Sequence, residues 1–504
     1  MLKLAEKNRK WWILLAMSSS LALVFIDQTA LAVALPAIQR ELNLSNSLSQ
    51  WVINAYLLAL SAIILLGGKI GDRLGHKRAF LAGVIVFITA STLAALAESG
   101  VWLITARAIQ GIGAAFMMHS MNDVVTIAFS AQERGNDLGI YIALATIFLA
   151  LGPLLGGFLT QVFSWRAVFW INFPIALISI ILAISSVPTW RRREKLNIDY
   201  LGFFISVIFI SGFVLGFMEA PNWGWTSLPI MGLFLLSIIS LITFIGWEKK
   251  IPHPLVELTL FKNLTFTTLF SVLLIIQAVA IVFVFLAIFL QNVLHYSPLM
   301  AGLLLLPAMV PIMLMAPVGG HLRDKYGPTL PMFCGALLVV LSLIWIAIFS
   351  HNRGYAWLFP GLLVYGIGMP LILSGIMATV MNMVNAQQRG MASAIFNCAR
   401  QFGNTIGLAL LTGLLASVNK WQLNSFLHHS PVPLSRLKEQ QIDGLLVQSD
   451  QAMKAIAHLS LAHIELLKTA ALNAYTNAFS MTLLAAAILA FLSLFLILKI
   501  PRKQ

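Results

Sequence analysis

The sequence predicts an all-α membrane protein with 14 transmembrane helices, arranged as two six-helix bundles in parallel pseudo-repeat plus two inserted helices. Three observations predict this class. Hydrophobic residues make up 59% of the 504 residues and charged residues only 10%, and the mean hydropathy of +0.90 is far above that of a soluble domain. Apolar runs long enough to cross about 30 Å of hydrocarbon recur along the chain, and basic residues fall almost entirely in alternate loops.

The apolar runs have the lengths of transmembrane helices, and we number them as spans 1 to 14. In chain order they lie at 12–36, 48–68, 79–97, 102–125, 137–163, 167–187, 199–218, 228–247, 264–291, 299–319, 329–350, 355–381, 391–418 and 474–499.

The net charge of +14 would indicate nucleic acid as a partner of a soluble protein, but here the charge marks one side of a membrane. The positive-inside rule makes that side cytoplasmic and places both termini there, which requires an even number of spans. Its basic residues are Lys3, Lys7, Arg9, Lys10, Lys69, Arg73, Lys77, Arg78, Arg134, Arg191, Arg192, Arg193, Lys195, Lys249, Lys250, Lys262, Arg323, Lys325, Arg389, Lys499, Arg502 and Lys503. We therefore expect a multi-pass protein of the plasma membrane, the inner membrane of a bacterium.

Two short strings recur about 250 residues apart and reveal an internal repeat. The string at 68–75 returns at 320–327, and the string at 131–135 returns at 386–390, all in predicted cytoplasmic loops. The repeat predicts an N-terminal bundle at 1–190, two inserted helices and their loops at 191–262, and a C-terminal bundle at 263–504 with a long extracytoplasmic loop at 419–473. Parallel halves of this kind are a transporter architecture whose substrate site lies between the halves.

One residue of span 1 is the strongest candidate for a working group. Asp27 lies deep inside this apolar run, where a carboxylate costs a few kcal/mol or more unless it is paired, protonated or hydrated. An ionisable residue at that depth predicts a functional site.

Five local strings resemble the major facilitator superfamily, and within it the fourteen-helix drug/proton antiporter branch, over essentially the whole chain. They lie at 27–36 in span 1, 68–78 after span 2, 107–113 in span 4, 152–157 in span 5 and 165–174 at the start of span 6. The last of them contains Trp165-Arg166 and Phe169-Trp170-Ile171-Asn172-Phe173-Pro174. The resemblance implies a secondary transporter that couples export to proton entry.

We predict that Asp27 and Arg107 are the proton-coupling residues, and helix geometry allows the two side chains to meet. At 1.5 Å per residue they lie roughly 13 and 8 Å from the outer boundary, so the two charges share the outer half of the membrane. Arginine favours the ionised carboxylate and desolvation disfavours it, so a contact that changes between conformations would load and release a proton. The alternative is a permanent buried ion pair that only fixes helix packing.

The resemblance also implies a cytoplasmic latch that closes the inner gate. Its predicted gating residues are Gly68, Asp72, Arg73, Gly75, Lys77, Asp123 and Asp324. His76 stands where the family has a basic residue after the second glycine, which leaves the latch residue itself open. His119 shares a helix face with Asp123, but two such residues do not make a metal site, so we expect no metal there.

The family's antiporter motif corresponds to Gly152, Pro153, Gly156 and Gly157 in span 5, with Phe148 where a further glycine is expected. The resemblance implies that this helix seals the halves against ion leak. Ordinary close packing of small residues is the alternative.

The predicted substrate cavity contains Arg400, Gln401, Asn404 and Gln277. Arg400 is a second cation inside the membrane, and an arginine facing lipid is expensive. Spans 9 and 10 contain no Asp or Glu, so we favour anionic or neutral substrates over divalent cations.

The function predicted from these features is a proton-coupled antiporter that exports hydrophobic or amphipathic small molecules. No G-x-x-x-x-G-K-[ST] loop is present, so nucleotide-driven pumping within the chain is not expected. The alternatives are a dedicated exporter or symporter of one metabolite on the same fold, and a membrane-embedded enzyme or receptor. No catalytic constellation supports an enzyme. Expected partners are a small-molecule substrate, protons and the lipid bilayer, with a periplasmic adaptor protein left open, and no cofactor or nucleic acid.

Overall fold

The computed structural model describes residues 9–128, 134–188, 199–252, 254–385, 388–429 and 461–500. All regular structure in these residues is helical. The α-helices are α1 Arg9–Glu41, α2 Asn46–Leu74, α3 His76–Ala95, α4 Gly100–Ala128, α5 Arg134–Val162, α6 Ala167–Trp170, α7 Asn172–Ser186, α8 Tyr200–Trp223, α9 Leu228–Glu248, α10 Leu264–Ala280, α11 Val282–Asn292, α12 Pro298–Tyr326, α13 Thr329–Phe349, α14 Tyr355–Met383, α15 Arg389–His429 and α16 Leu461–Leu498.

The helices have the length and composition of membrane spans. Within the described ranges, 12 helical segments are long and apolar enough to cross a bilayer, with α6–α7 and α10–α11 each counted as one segment. The helices α2 and α5 have 29 residues each and shorter apolar stretches, Leu48–Ile64 and Ile147–Val162. The predicted all-α, multi-span class is confirmed, and the count of 14 spans stays a prediction.

The break between α6 and α7 has a local cause. Pro174 is the third residue of α7, so in a continuous helix its ring would clash with the Trp170 carbonyl and would offer no N–H to it. The helix is interrupted at Ile171. Asn172 therefore begins a new helix instead of continuing the old one.

The packing of the first bundle recurs in the second. In the first, α1 packs against α5 and α7, while α4 packs against α2 and α3. In the second, α10 packs against α15 and α16, while α14 packs against α12 and α13. The same pairs in the same chain order are the structural counterpart of the repeated strings.

The two bundles meet along a seam in which α1, α2 and α5 face α11, α12 and α15. The inserted helices α8 and α9 pack on each other, and α8 lies against both α2 and α15 at the edge of this seam. We call the face that carries Arg9, Arg73, Lys77, Arg323 and Lys499 the basic face. The other end of the bundle, where α1 ends at Glu41, is the opposite face.

The predicted extracytoplasmic loop at 419–473 is helical at both ends. Helix α15 continues to His429, and α16 already begins at Leu461. No Gly or Pro occurs at 414–430 or at 445–500, so nothing in the sequence ends either helix at the membrane boundary. Residues 430–460 lie outside the described ranges.

Candidate functional site

Asp27 and Arg107 form a fully buried ion pair between α1 and α4. Their side chains are 0% and 1% exposed, and Arg107 Nη1 lies 2.6 Å from Asp27 Oδ2. Helix geometry predicts that these two charges lie at similar depth in the membrane, and in the structure they are in direct contact. Removing one partner of such a pair leaves an uncompensated buried charge, at a cost of about 3–5 kcal/mol.

Two side-chain amides complete the coordination of the Asp27 carboxylate. Gln110 Nε2 donates to Asp27 Oδ1 at 2.9 Å, and Asn172 Nδ2 donates to the same oxygen at 3.3 Å. Gln110 Oε1 also accepts from Arg107 Nη1 at 2.7 Å. With the guanidinium, three donor groups surround the carboxylate, and the bond from Arg107 is a charge-assisted hydrogen bond.

The guanidinium of Arg107 is held in place by more than the carboxylate. Its Nε donates to the Val52 carbonyl at 3.1 Å, and its Cζ lies 4.4 Å from the centre of the Tyr56 ring and 5.8 Å from that of Phe169. Aromatic faces attract a desolvated cation. Arg107 is thus fixed by α1, α2 and α6 together.

A hydrogen-bonded chain leads from Asp27 toward the opposite face. Asn172 Nδ2 donates to Ser91 Oγ at 2.9 Å, and Ser91 Oγ donates to the Phe169 carbonyl at 2.9 Å. Asn172, Ser91 and Gln110 are fully buried.

Gln110 and Asn172 lie within the family strings at 107–113 and 165–174, but neither was predicted as a site residue. The sequence could have indicated Gln110, because it follows Arg107 by three residues and therefore lies on the same face of the helix. Asn172 is a neutral amide in an apolar run, which gives no comparable signal.

The glycines of the antiporter motif bring α5 against α1 beside the ion pair. A Cβ built on Gly152 would lie 1.7 Å from Thr29 Oγ1, and one built on Gly156 would lie 2.4 Å from the Ala30 carbonyl oxygen. Phe148, at the position of the missing glycine, packs on the hydrophobic core.

The other side of α5 touches the second bundle. A Cβ on Gly157 would lie 2.3 Å from the Pro298 carbonyl oxygen, and one on Gly302 would lie 2.3 Å from that of Pro153. Only glycine fits these crossings, so α5 is packed tightly between α1 and α12.

Further contacts between the bundles lie in the middle of the seam and toward the opposite face. Gln291 Nε2 donates to the Val33 carbonyl at 2.8 Å, and the Leu299 N–H donates to Gln161 Oε1 at 3.2 Å. The hydroxyls of Ser61 and Thr405 are hydrogen-bonded at 2.7 Å. The bundles are therefore closed against each other at the opposite face.

The predicted gating residues that the structure describes contact their own bundle. Lys77 Nζ donates to the carbonyls of Ile184 at 2.8 Å and Val187 at 2.6 Å, which stabilises the C-terminal end of α7. Asp324 accepts hydrogen bonds from its neighbour Arg323 at 2.8 and 2.7 Å.

The other predicted gating residues differ in what the structure describes of them. Arg73 is exposed. Gly75 has φ of 91°, a conformation that favours glycine. Gly68, Asp72 and Asp123 lie outside the residues whose burial and contacts are described, and half-buried His119 packs near Gly71.

The four predicted cavity residues lie on α10 and α15 of the second bundle. Arg400 Cζ lies 5.5 Å from the centre of the Phe25 ring on α1, so this second-bundle cation reaches the helix that carries Asp27. Gln401 is buried and donates to Met118 Sδ at 3.5 Å, so it lies in the seam. Asn404 is half-buried, and Gln277 is buried beside Gly403.

Comparison with known proteins identifies relatives across most of the chain. Residues 17–408 match the model of the Major Facilitator Superfamily. The chain is 31% identical to Multidrug resistance protein Stp of Mycobacterium tuberculosis, over 84% of this chain and 79% of that protein. It is 30% identical to the Tetracenomycin C resistance and export protein of Streptomyces glaucescens, over 82% and 77%.

Among solved structures, a bacterial homologue of the human lysosomal transporter Spinster, in an inward-facing and occupied conformation, has the same fold. The TM-score is 0.67 at 17% sequence identity, and the match covers 98% of this chain and 97% of that one.

Proposed function

The chain belongs to the Major Facilitator Superfamily, and from that premise we propose that it is a proton-coupled antiporter that exports hydrophobic or amphipathic small molecules. It is a multi-pass membrane transporter. Export is supported by its relatives, one a multidrug resistance protein and another a resistance and export protein for tetracenomycin C.

The observation that carries the proton role is the buried contact between Asp27 and Arg107. Asp27 is a buried titratable group on α1, a helix that faces the second bundle across the seam. Within the described part of the first bundle, the arginine and two amides converge on this one carboxylate. A group in that position gains or loses its proton according to how the surrounding helices are arranged.

The proposed exchange cycle alternates between the two faces of the protein. We take the basic face as cytoplasmic, and in the proposed cycle Asp27 releases its proton to the cytoplasm when substrate enters from that side. When the halves open toward the other side, the carboxylate binds a proton from outside while substrate leaves. The halves alternate around a site between them, as in other transporters with parallel repeats.

One carboxylate supplies enough free energy for this exchange. A proton that moves down a force of ~150 mV releases about 3.5 kcal/mol. That corresponds to a substrate concentration ratio of roughly 300 when one proton exchanges for one neutral molecule.

The substrate surface includes Arg400 and Phe25, which contact each other across the seam. A cation beside an aromatic ring suits neutral or anionic compounds with an aromatic part better than divalent cations. We place the transporter in a bacterial inner membrane with both chain ends on the cytoplasmic side.

Two measurements test the proposal. The first is growth of a host that lacks its own exporters, across a panel of anionic, neutral and cationic toxic compounds, with Asp27→Asn as the inactive control. The second uses the compounds that this panel identifies, with purified protein in liposomes under an imposed pH gradient and a dye that reports internal pH. We expect proton movement only when substrate is present. Transport that ignores the gradient would contradict the antiporter, and protection against a single compound would favour a dedicated exporter.

A further inference from the structure

We infer that Asn172 is a positioning residue of the proton site: its amide holds the Asp27 carboxylate in the ionised form, and Ser91 fixes the orientation of that amide. This inference rests on the proposed proton role of Asp27. Asn172 is the first residue of α7, and the family resemblance assigns no role to it.

The orientation of the Asn172 amide follows from which groups donate and which accept in its hydrogen bonds. The hydroxyl of Ser91 donates its one hydrogen to the Phe169 carbonyl, so toward Asn172 it offers only acceptor lone pairs. The Asn172 group that faces Ser91 must therefore be the NH₂ group. The second hydrogen of that group points to Asp27 Oδ1.

The other end of the amide is Asn172 Oδ1, which is buried and has no hydrogen-bond partner among the described residues. A buried acceptor left unsatisfied costs free energy. The amide therefore makes its hydrogen bonds through Nδ2, to Ser91 Oγ and to Asp27 Oδ1.

The position of Asn172 also connects the proton site to the closed face. Asn172 follows the break at Ile171, and the segment before the break carries Trp165 and Arg166. Trp165 Nε1 donates to Glu41 Oε2 at 2.7 Å, and Arg166 pairs with the same carboxylate. Glu41 ends α1, the helix of Asp27. The segment just before Asn172 is therefore tied to the end of α1 at the opposite face.

The test measures protonation of Asp27 directly and needs no substrate. Infrared difference spectra of the purified full-length protein, recorded across a pH series, give the protonated-carboxyl band that is present in the wild type and lost in Asp27→Asn. We expect Asn172→Ala to raise the pH midpoint of this band by about one unit, a tenfold rise in proton affinity. The cause is the loss of a donor that favours the ionised form.

Two further variants separate positioning from general packing. Ser91→Ala removes the hydroxyl that accepts from Asn172 and leaves Asp27 unchanged. It should shift the midpoint in the same direction by a smaller amount. If Asn172→Ala does not fold, Ser91→Ala becomes the deciding variant. Asn54→Ala is the matched control, because Asn54 is an equally buried amide whose Nδ2 faces Met218 Sδ at 2.8 Å. Its midpoint should equal that of the wild type.

The outcomes distinguish this inference from the proposed function. A band that is lost in Asp27→Asn but has the same midpoint in Asn172→Ala and Ser91→Ala as in the wild type overturns the role of Asn172 alone. A shift of equal size in Asn54→Ala also overturns it. If the wild-type protein shows no band that depends on Asp27 while it still transports, the proton role of Asp27 fails and the inference fails with it.

Discussion

Gly156 of α5 lies directly on the backbone of Ala30 of α1, three residues beyond Asp27. A Cβ on Gly156 would come within 2.4 Å of the Ala30 carbonyl oxygen and 2.6 Å of its Cα. Because these obstacles are backbone atoms, they cannot turn aside as a flexible side chain would. The packing of the antiporter motif and the position of the proton site are therefore one structural arrangement.

We expect Gly156→Ala to separate α5 from α1, to destabilise the protein by about 1–3 kcal/mol and to let protons leak across the seam. Thermal unfolding in detergent and decay of a pH gradient in liposomes measure the two effects. Gly232→Ala in α9 is the control, because a Cβ there meets no atom within 4 Å. Equal leak and equal stability in both variants would show that the motif has no sealing role.

Asp27→Asn should leave a folded, membrane-inserted protein that no longer exports against a gradient. Asparagine keeps the shape of the side chain but does not titrate, and Arg107 then stays charged without a carboxylate. We therefore expect lower thermal stability as well, since an uncompensated buried charge is costly. Gradient-driven transport in liposomes is the deciding measurement, and an undiminished rate would remove Asp27 from proton coupling.

Arg107→Lys should impair transport and move its pH optimum upward. Arg107 donates to Asp27, Gln110 and the Val52 carbonyl from a planar group, and a lysine ammonium does not reproduce that geometry. Weaker stabilisation of the ionised carboxylate lets Asp27 hold its proton at higher pH. Transport rates across a pH series test this, and a profile identical to that of the wild type would contradict it.

Removal of the inserted helices, residues 191–262, should leave a bundle that inserts with both ends on one side but transports less. The α8–α9 hairpin bridges the seam: Glu219 Oε1 accepts from Trp51 Nε1 at 2.8 Å, and Trp225 Nε1 donates to Ser417 Oγ at 2.9 Å. Tags at the two chain ends report the topology. A C-terminal tag on the outer side, with or without the insert, would contradict the predicted number of spans.

Asp72→Ala should increase labelling of cysteines introduced in the half of the seam nearest the basic face, because loss of its charge weakens the outward-facing state. Conformational equilibria of this kind differ by only a few kcal/mol. Asp324→Ala is the comparison and should have a smaller effect, since the Asp324 side chain is 69% exposed and bonded to its neighbour Arg323. Unchanged labelling in Asp72→Ala, at matched expression, would exclude a latch at this position.

The sequence by itself determined the all-α membrane class and indicated that Asp27 and Arg107 could meet. The length of an apolar run is a local property of the sequence, and it must match the thickness of the bilayer. A charge buried in the membrane is so costly that Asp27 and Arg107 had few possible partners other than each other. The repeated strings also indicated two parallel halves before any contact was known.

Only the tertiary structure decided which neutral groups join the charges and where the helices end. Asn172 reaches Asp27 because Pro174 breaks the span and α7 packs against α1, and a neutral amide carries no charge that would reveal this partner in the sequence. Helices α15 and α16 extend past the predicted membrane boundary because hydropathy marks where lipid ends, whereas a helix ends where its backbone hydrogen bonds are interrupted. The local composition of the sequence determines the cost of burying a charge and the length of each span. Which neutral groups contact Asp27 depends on distances that only the packing of the helices sets.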